Sequence, residues 1–369
     1  RETVSSILTI LASSMLAVTT FSLSIMVSAY AAATSVSPRA TQLVMQDQTT
    51  KNALSTFLGS FIFSLVGLIL INLGVYEGNG RFILFVMTLV VILLIVVTLI
   101  RWINRLGKLG RVGETTKMVE KVALTAVKKW AEKPFWGGRP LIEDKADAVG
   151  TEAVRPDKVG YIQMVDVKQL AETGREHDLE IHILLRPGAY VTPTTEILRY
   201  KAAGDFDQPG VLLEAVMIDD ERAFEEDPRF GLCVLAEIAD RALSAAINDS
   251  GTVIDVIGRL VRIIDALAEN FNSEPEIEFD RVWVRPMDIG DMFEDAFNQI
   301  IRDGAKFYEI QCRLQKAFRS LGGSKSADIS RWAEIFSGRA MARAEKSGSL
   351  MDDELDRLRQ LVFQISEAK

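Results

Sequence analysis

Six hydroxyl side chains near the start of the chain, Ser6, Thr9, Ser13, Thr20, Ser24 and Ser28, recur at steps of three, four or seven, with Ala17, Ala31 and Ser35 on the same line. At 3.6 residues per turn this spacing lays them along one helix face, while Ser5, Ser14, Thr19 and Ser22 fall off it. Two chemistries suit such a face in lipid. Small and hydroxyl residues let helices approach closely, bonding across or back to their own carbonyls. Alternatively, the face is wetted and lines a path between subunits.

A second cluster is Arg241-Ala-Leu-Ser244, followed by Ile247-Asn248-Asp249-Ser-Gly-Thr252. Asn248 tolerates the left-handed conformation that ends a helix, and Asp249 or Ser250 can cap the next one. A ligand or subunit contact made by Arg241, Asn248, Asp249 and Thr252 is the alternative. Asp227-Pro228 is a helix-start signal of its own.

The acidic runs at 219–221 and 225–227 suit solvated caps better than a cation site. His177 and His182 have no spaced partners, and Cys233 and Cys312 form no CxxC. Nucleophile elbow, HExxH, Walker and dinucleotide patterns are missing from the sequence. We therefore expect no catalytic residues, metal or cofactor, and a protein that is not an enzyme.

The elements that carry these residues are membrane spans followed by a water-soluble body. From Val4 to Pro38 no charged side chain occurs. As a helix, positions 4–33 would reach about 45 Å, against about 30 Å of hydrocarbon. Ala29-Tyr-Ala31 imitates a signal-peptide cleavage site, but such a peptide's apolar core is much shorter. Two further apolar runs, 56–76 and 82–100, are separated by the tight turn at 77–81. Ser60, Ser64, Gly67 and Gly74 give the middle span a small-residue packing face.

Arg101, Arg105, Lys108 and Arg111 crowd the exit of the third span, where they would meet lipid headgroups. The positive-inside rule makes that exit cytoplasmic and puts Arg1 outside, so a cytoplasmic start requires a fourth span upstream. Net charge runs +1 over residues 1–100, +6 over 101–133 and −15 beyond. An acidic body leaves no footprint for nucleic acid. Residues 101–150 read as a basic juxtamembrane helix and linker. The glycines at 107, 110 and 113 form a lipid-contacting hinge, and Val119, Val122, Ala123, Ala126, Val127 and Trp130 make an apolar helical face.

From 151 to 369 the pattern is that of an α+β domain, helical toward its C-terminus. Strands are expected at 160–165, 179–185, 189–192 and 277–284, with a short helix at 167–177. One long helix is expected through Phe293, Phe297, Ile300, Phe307, Leu314 and Phe318, and two more around 329–344 and 350–365.

Taken together, Ser37-Pro-Arg39, Leu58-Gly-Ser-Phe61, Gly160-Tyr-Ile-Gln163, Asp227 with Phe230-Gly-Leu232, and Arg241-Ala-Leu-Ser244 before Ile247-Asn-Asp249 resemble the bacterial predicted membrane proteins called domain of unknown function 2254. That family usually has proline after Leu-Ser and after Asn-Asp, where this chain has Ala245 and Ser250. The resemblance implies an inner-membrane protein with four spans, one before Arg1, and a cytoplasmic C-terminal domain. It implies no activity. The expected function is a homo-oligomeric, channel-like assembly with the hydroxyl helix at its centre. The alternative is a membrane-anchored oligomeric scaffold or sensor whose cytoplasmic domain takes a partner or small ligand.

Overall fold

The structure is a computed structural model that describes residues 2–75, 79–141 and 152–364. The chain divides into two units, Arg1–Met118 and Val119–Lys369. Part of the hairpin turn at 77–81, the linker from 142 to 150 and Ile365 lie outside the described residues, and the helix expected around 350–365 spans Asp352–Leu361.

The first unit is built from α1 (Glu2–Val36), the short α2 (Thr41–Met45), α3 (Gln48–Asn72) and α4 (Asn79–Leu106). Three stretches, Thr3–Val36, Thr41–Asn72 and Gly80–Leu106, are long and apolar enough to cross a membrane. Leu8 of α1 packs with Ile71 of α3 and Leu84 of α4. Further along, Met15 and Met26 pack with Ala53, Phe57, Ile95 and Trp102. Leu8 thus meets the end of α3 and the start of α4, so α1 runs antiparallel to α3 and parallel to α4.

Small residues set the closeness of this packing. Ser60, Ser64 and Gly67 of α3 are buried, and a Cβ on Gly67 would stand 3.1 Å from Leu8 Cδ1. The Trp102 indole donates to Ser22 Oγ at 3.0 Å, a buried bond between α4 and α1. Gly74 lies past the end of α3 at φ +74°, so it closes the helix instead of packing on it. Gly110, at φ +75°, faces Ala29 and Ala32 of α1. It therefore serves as a tight packed turn, while nothing lies within 4 Å of a Cβ built on Gly107 or Gly113.

The helix α5 (Val112–Glu132) continues into the second unit, where Val119, Ala123, Ala126, Val127 and Trp130 are buried, as their spacing predicts. Eight strands follow: β1 (Arg139–Pro140), β2 (Glu152–Val154), β3 (Gly160–Val165), β4 (Leu179–Ile183), β5 (Tyr190–Val191), β6 (Leu198–Ala202), β7 (Val216–Asp219) and β8 (Val282–Val284). Five form a mixed sheet in the order β1-β8-β4-β6-β2, with β1, β8 and β4 parallel; β5-β3-β7 make an antiparallel one. One apolar core, including Ile162, Ile181, Ile183, Leu198 and Val282, serves both sheets. With them run α6 (Val167–Glu176), capped by Asp166, and the single turn α7 (Gly210–Leu213).

The helical part comprises α8 (Phe230–Leu243), α9 (Ser250–Asn270), α10 (Ile289–Asp303), α11 (Tyr308–Gly322), α12 (Ala327–Ser347) and α13 (Asp352–Leu361). The long helix expected through Phe293 and Phe318 is two helices. Gly304 ends the first, and a Cβ there would lie 2.6 Å from the Ile300 carbonyl oxygen. The phenylalanine spacing still finds one core, because Phe297 and Phe318 meet edge to face at 5.0 Å across the break. The strand expected at 277–284 shrinks to its last three residues, where the pairing with β4 lies.

Candidate functional site

The hydroxyl line of α1 points away from its packing face. Ser6, Thr9, Ser13, Thr20, Ser24 and Ser28 are all exposed, whereas Leu8, Ala12, Met15, Ser22 and Met26 are buried. The hydroxyls do not wait for partners. Thr9, Ser13, Thr20, Ser24 and Ser28 each donate to the carbonyl four residues earlier, at 2.9 to 3.1 Å. Ser22, off the line, accepts an interhelical bond from Trp102.

Among the collar residues, Arg101, Lys108 and Arg111 are exposed. Arg105 is not left for headgroups. Its guanidinium reaches Asp47 Oδ1 at 2.8 Å and Glu114 Oε1 at 2.6 Å, a three-residue ion pair largely shielded from water.

Asp227 and the Arg241–Thr252 segment do not meet. They lie at opposite ends of α8, whose 14 residues rise about 21 Å. At the far end Asn248 has φ +51°, and Asp249 accepts from Thr252 N at 3.0 Å and Thr252 Oγ1 at 2.6 Å. That is a helix stop followed by a capped start, with Arg241, Asn248 and Asp249 exposed. The Thr252 bonds hold the Asp249 carboxyl below the usual range.

At the near end Asp227 is 2% exposed and walls a cavity of about 860 Å³. Its Oδ1 accepts from the Arg229 and Phe230 amides at 3.0 and 3.1 Å, and its Oδ2 from Arg222 Nη2 at 2.7 Å. The helix proper begins at Phe230, so Asp227 caps from one turn earlier than Asp227-Pro228 suggests. Burial pushes the Asp227 carboxyl above its ordinary range in spite of Arg222. Packed against Asp227, Gly188 sits at φ +92°, where any Cβ would fall 2.2 Å from Asp227 Oδ2. Only glycine fits.

The turn carrying Gly188 also brings in Arg186. Its Nε donates to the Arg285 carbonyl at 2.7 Å and its Nη2 to the Pro134 carbonyl at 2.8 Å. Its guanidinium lies 4.7 Å from the Trp136 ring centre and 5.9 Å from that of Trp130. Trp136 is held at φ +52°, an uncommon conformation for a bulky residue. Burial lowers the Arg186 guanidinium to about 9, still charged at neutral pH.

Other charges along this wall are paired. Arg229 reaches Asp291 at 2.5 Å and Asp295 at 2.6 Å, and Lys129 pairs with Glu226. Asp288 accepts from Gly290 N at 2.7 Å. Burial pushes the Cys233 thiol, beside Arg222, up to about 12.

Sequence reading located Asp227 but not the cavity. Arg186-Pro-Gly188 reads in the sequence as a plain turn, and the tryptophans as part of a helix end. Local spacing does not register that the β4 turn, the end of α5 and the starts of α8 and α10 converge. Among the described residues no group of three or more His, Cys, Asp or Glu could hold a metal ion.

Three membrane-length apolar helices followed by a mixed α/β unit define a membrane protein. The family described as "Predicted membrane protein (DUF2254)" matches residues 1–320, and the chain belongs to it. An uncharacterized protein of Mycobacterium bovis is 36% identical over 115 residues, 30% of this chain and 22% of that protein. Uncharacterized proteins of Mycobacterium tuberculosis strains H37Rv and CDC 1551 match with the same identity and coverage. The match thus covers about a fifth of the length of these relatives. No solved structure matches the chain.

Proposed function

We propose that this is a multi-pass protein of the bacterial inner membrane whose C-terminal unit, in the cytoplasm, binds a small ligand without turning it over. It is a membrane-anchored sensor or scaffold. The cavity at Arg186 carries the reading: its volume falls within the range of small-molecule sites, roughly 300–1,000 Å³, and its wall mixes apolar side chains with a few fixed polar groups. Binding is favoured over catalysis because the cavity's carboxylates are held by Arg222, Arg229 and Lys129 or cap a helix, and the Cys233 thiol stays protonated. The exposed Arg101, Lys108 and Arg111 favour a cytoplasmic exit for α4. Full-length protein in maltoside micelles should show a saturable rise in melting temperature with at least one member of a panel of soluble metabolites. A flat response across the panel would sink the reading.

A second reading is favoured by one observation, the outward line of hydroxyls on α1. In it, copies of the chain meet along Ser13, Thr20 and their neighbours and enclose a channel-like path. Single cysteines at Ser13 and Thr20 should then cross-link between copies, while one at the exposed Leu23 should not. Liposomes carrying the protein should pass ions, and Ser13→Leu with Thr20→Leu should reduce that flux. Tight liposomes would remove the pore.

A further inference from the structure

We infer that the cavity beside Arg186 takes a small organic anion, with a carboxylate or phosphoryl head on the guanidinium and an apolar body against Leu185, Met287 and Trp136. This rests on the ligand-binding reading above and names the ligand's chemical class.

Four guanidinium groups and four carboxylates wall the cavity. Three of those carboxylates are held by Arg222, Arg229 and Lys129, and Asp288 caps α10. Arg186 has no carboxylate within ion-pair reach among the described residues. A guanidinium has five N–H donors, and among the described residues two of them are used, both on main-chain carbonyls. A shielded cation without a counter-charge is expensive, and a bound anion removes that expense. A forked head would use the remaining donors in the geometry for which arginine is suited.

A separate observation points the same way. Trp130 is 6% exposed and lines the cavity, yet its indole N–H has no acceptor among the described residues. Buried donors are rarely left unpaired, and a ligand oxygen that reached the indole N–H on binding would supply the acceptor this one lacks. The backbone of the site is also held in uncommon conformations. Trp136 at φ +52° sets its ring on Arg186, and Gly188 at φ +92° makes room for Asp227. Such positions persist where the surrounding structure enforces them, and they concentrate at ligand sites. A cationic ligand would meet the Arg186 charge directly, so that class is disfavoured.

The test uses the full chain in uncharged maltoside micelles, titrated with phenyl phosphate, benzoate and, as a neutral ring of similar size, benzyl alcohol. Melting temperature and tryptophan fluorescence are followed. We expect saturable binding of at least one anion, its head identified by which of the two binds more tightly, and little response to benzyl alcohol. Arg186→Met should abolish binding. Arg186→Lys, which keeps the charge but loses the fork, should weaken it at least tenfold and carries the test if Arg186→Met does not fold. Trp130→Phe should weaken it a few-fold while the protein melts normally. Equal affinity in wild type and Arg186→Lys, or benzyl alcohol binding as well as the anions, overturns the anion but leaves a small-molecule site. Silence to all three compounds also overturns the anion, and the metabolite panel then decides the broader reading.

Discussion

Gly231 of α8 lies against Ala123 of α5 so closely that a Cβ built on it would stand 2.3 Å from the Ala123 Cβ. No rotamer relieves that contact, because both atoms are fixed by backbone. Gly231→Ala should therefore force the two helices apart and cost about 1–3 kcal/mol, the range for overpacking a filled core. Gly338 of α12 is the control: it is exposed and nothing lies within 4 Å of its Cβ position. Gly338→Ala should gain about 0.5–1 kcal/mol from helix propensity. Melting temperatures in micelles should move in opposite directions.

His182 should make the C-terminal unit acid-sensitive. It is buried in β4, stacked 4.8 Å from Trp283, and its Nδ1 has no partner among the described residues. Burial, helped by Lys201, pushes the imidazole down from 6.5 to about 4. The unfolded chain thus takes a proton that the folded chain refuses. Stability is full above pH 6.5 and drains away as pH falls toward 4, by about 1–2 kcal/mol after allowance for solvent screening. Denaturant midpoints at pH 7.5 and 5 should converge in His182→Phe relative to wild type. An unchanged gap would refute the assignment.

The helix stop at Asn248 separates two kinds of substitution. Asn248→Gly should be neutral or slightly stabilising, because glycine takes φ +51° without strain. Asn248→Val should lose about 1 kcal/mol or more. Asp249→Ala deletes the cap on α9 and should cost about 0.5–2 kcal/mol. Normal melting combined with lost assembly in Asp249→Ala would point to a contact role.

In the membrane unit the packing face and the hydroxyl face should respond differently. Gly67→Ile drives side-chain atoms into Leu8 and should cost about 1–3 kcal/mol. Trp102→Phe should loosen α4 from α1 by removing the bond to Ser22. Thr20→Val, on the exposed face, removes only the side-chain bond to the Leu16 carbonyl of its own helix and should leave the melting temperature of the isolated chain within about 1 °C. Detergent melting curves of the three variants check the order.

Periodic signals were legible in the sequence. The three apolar runs, the small face of α3 at Ser60, Ser64 and Gly67, the buried face of α5 and the turn at Asn248 all follow from spacing or residue type alone. What was not legible needed distant parts of the chain together. Arg105 reads as a headgroup contact until Asp47, 58 residues earlier, is found beside it. Arg186 reads as a turn residue until Trp130, Trp136 and the starts of two helices close around it. The break at Gly304 was hidden because the phenylalanine pattern continues through it.

The inward bonding of the α1 hydroxyls has a chemical consequence of its own. Each of those hydrogens already belongs to a carbonyl of the same helix, so the oxygens offer neighbours only their lone pairs. Such a surface greets ammonium groups, metal ions and water hydrogens, and has nothing to give a chloride or a carboxylate. Any visitor or sister helix that settles there must bring its own protons or positive charge.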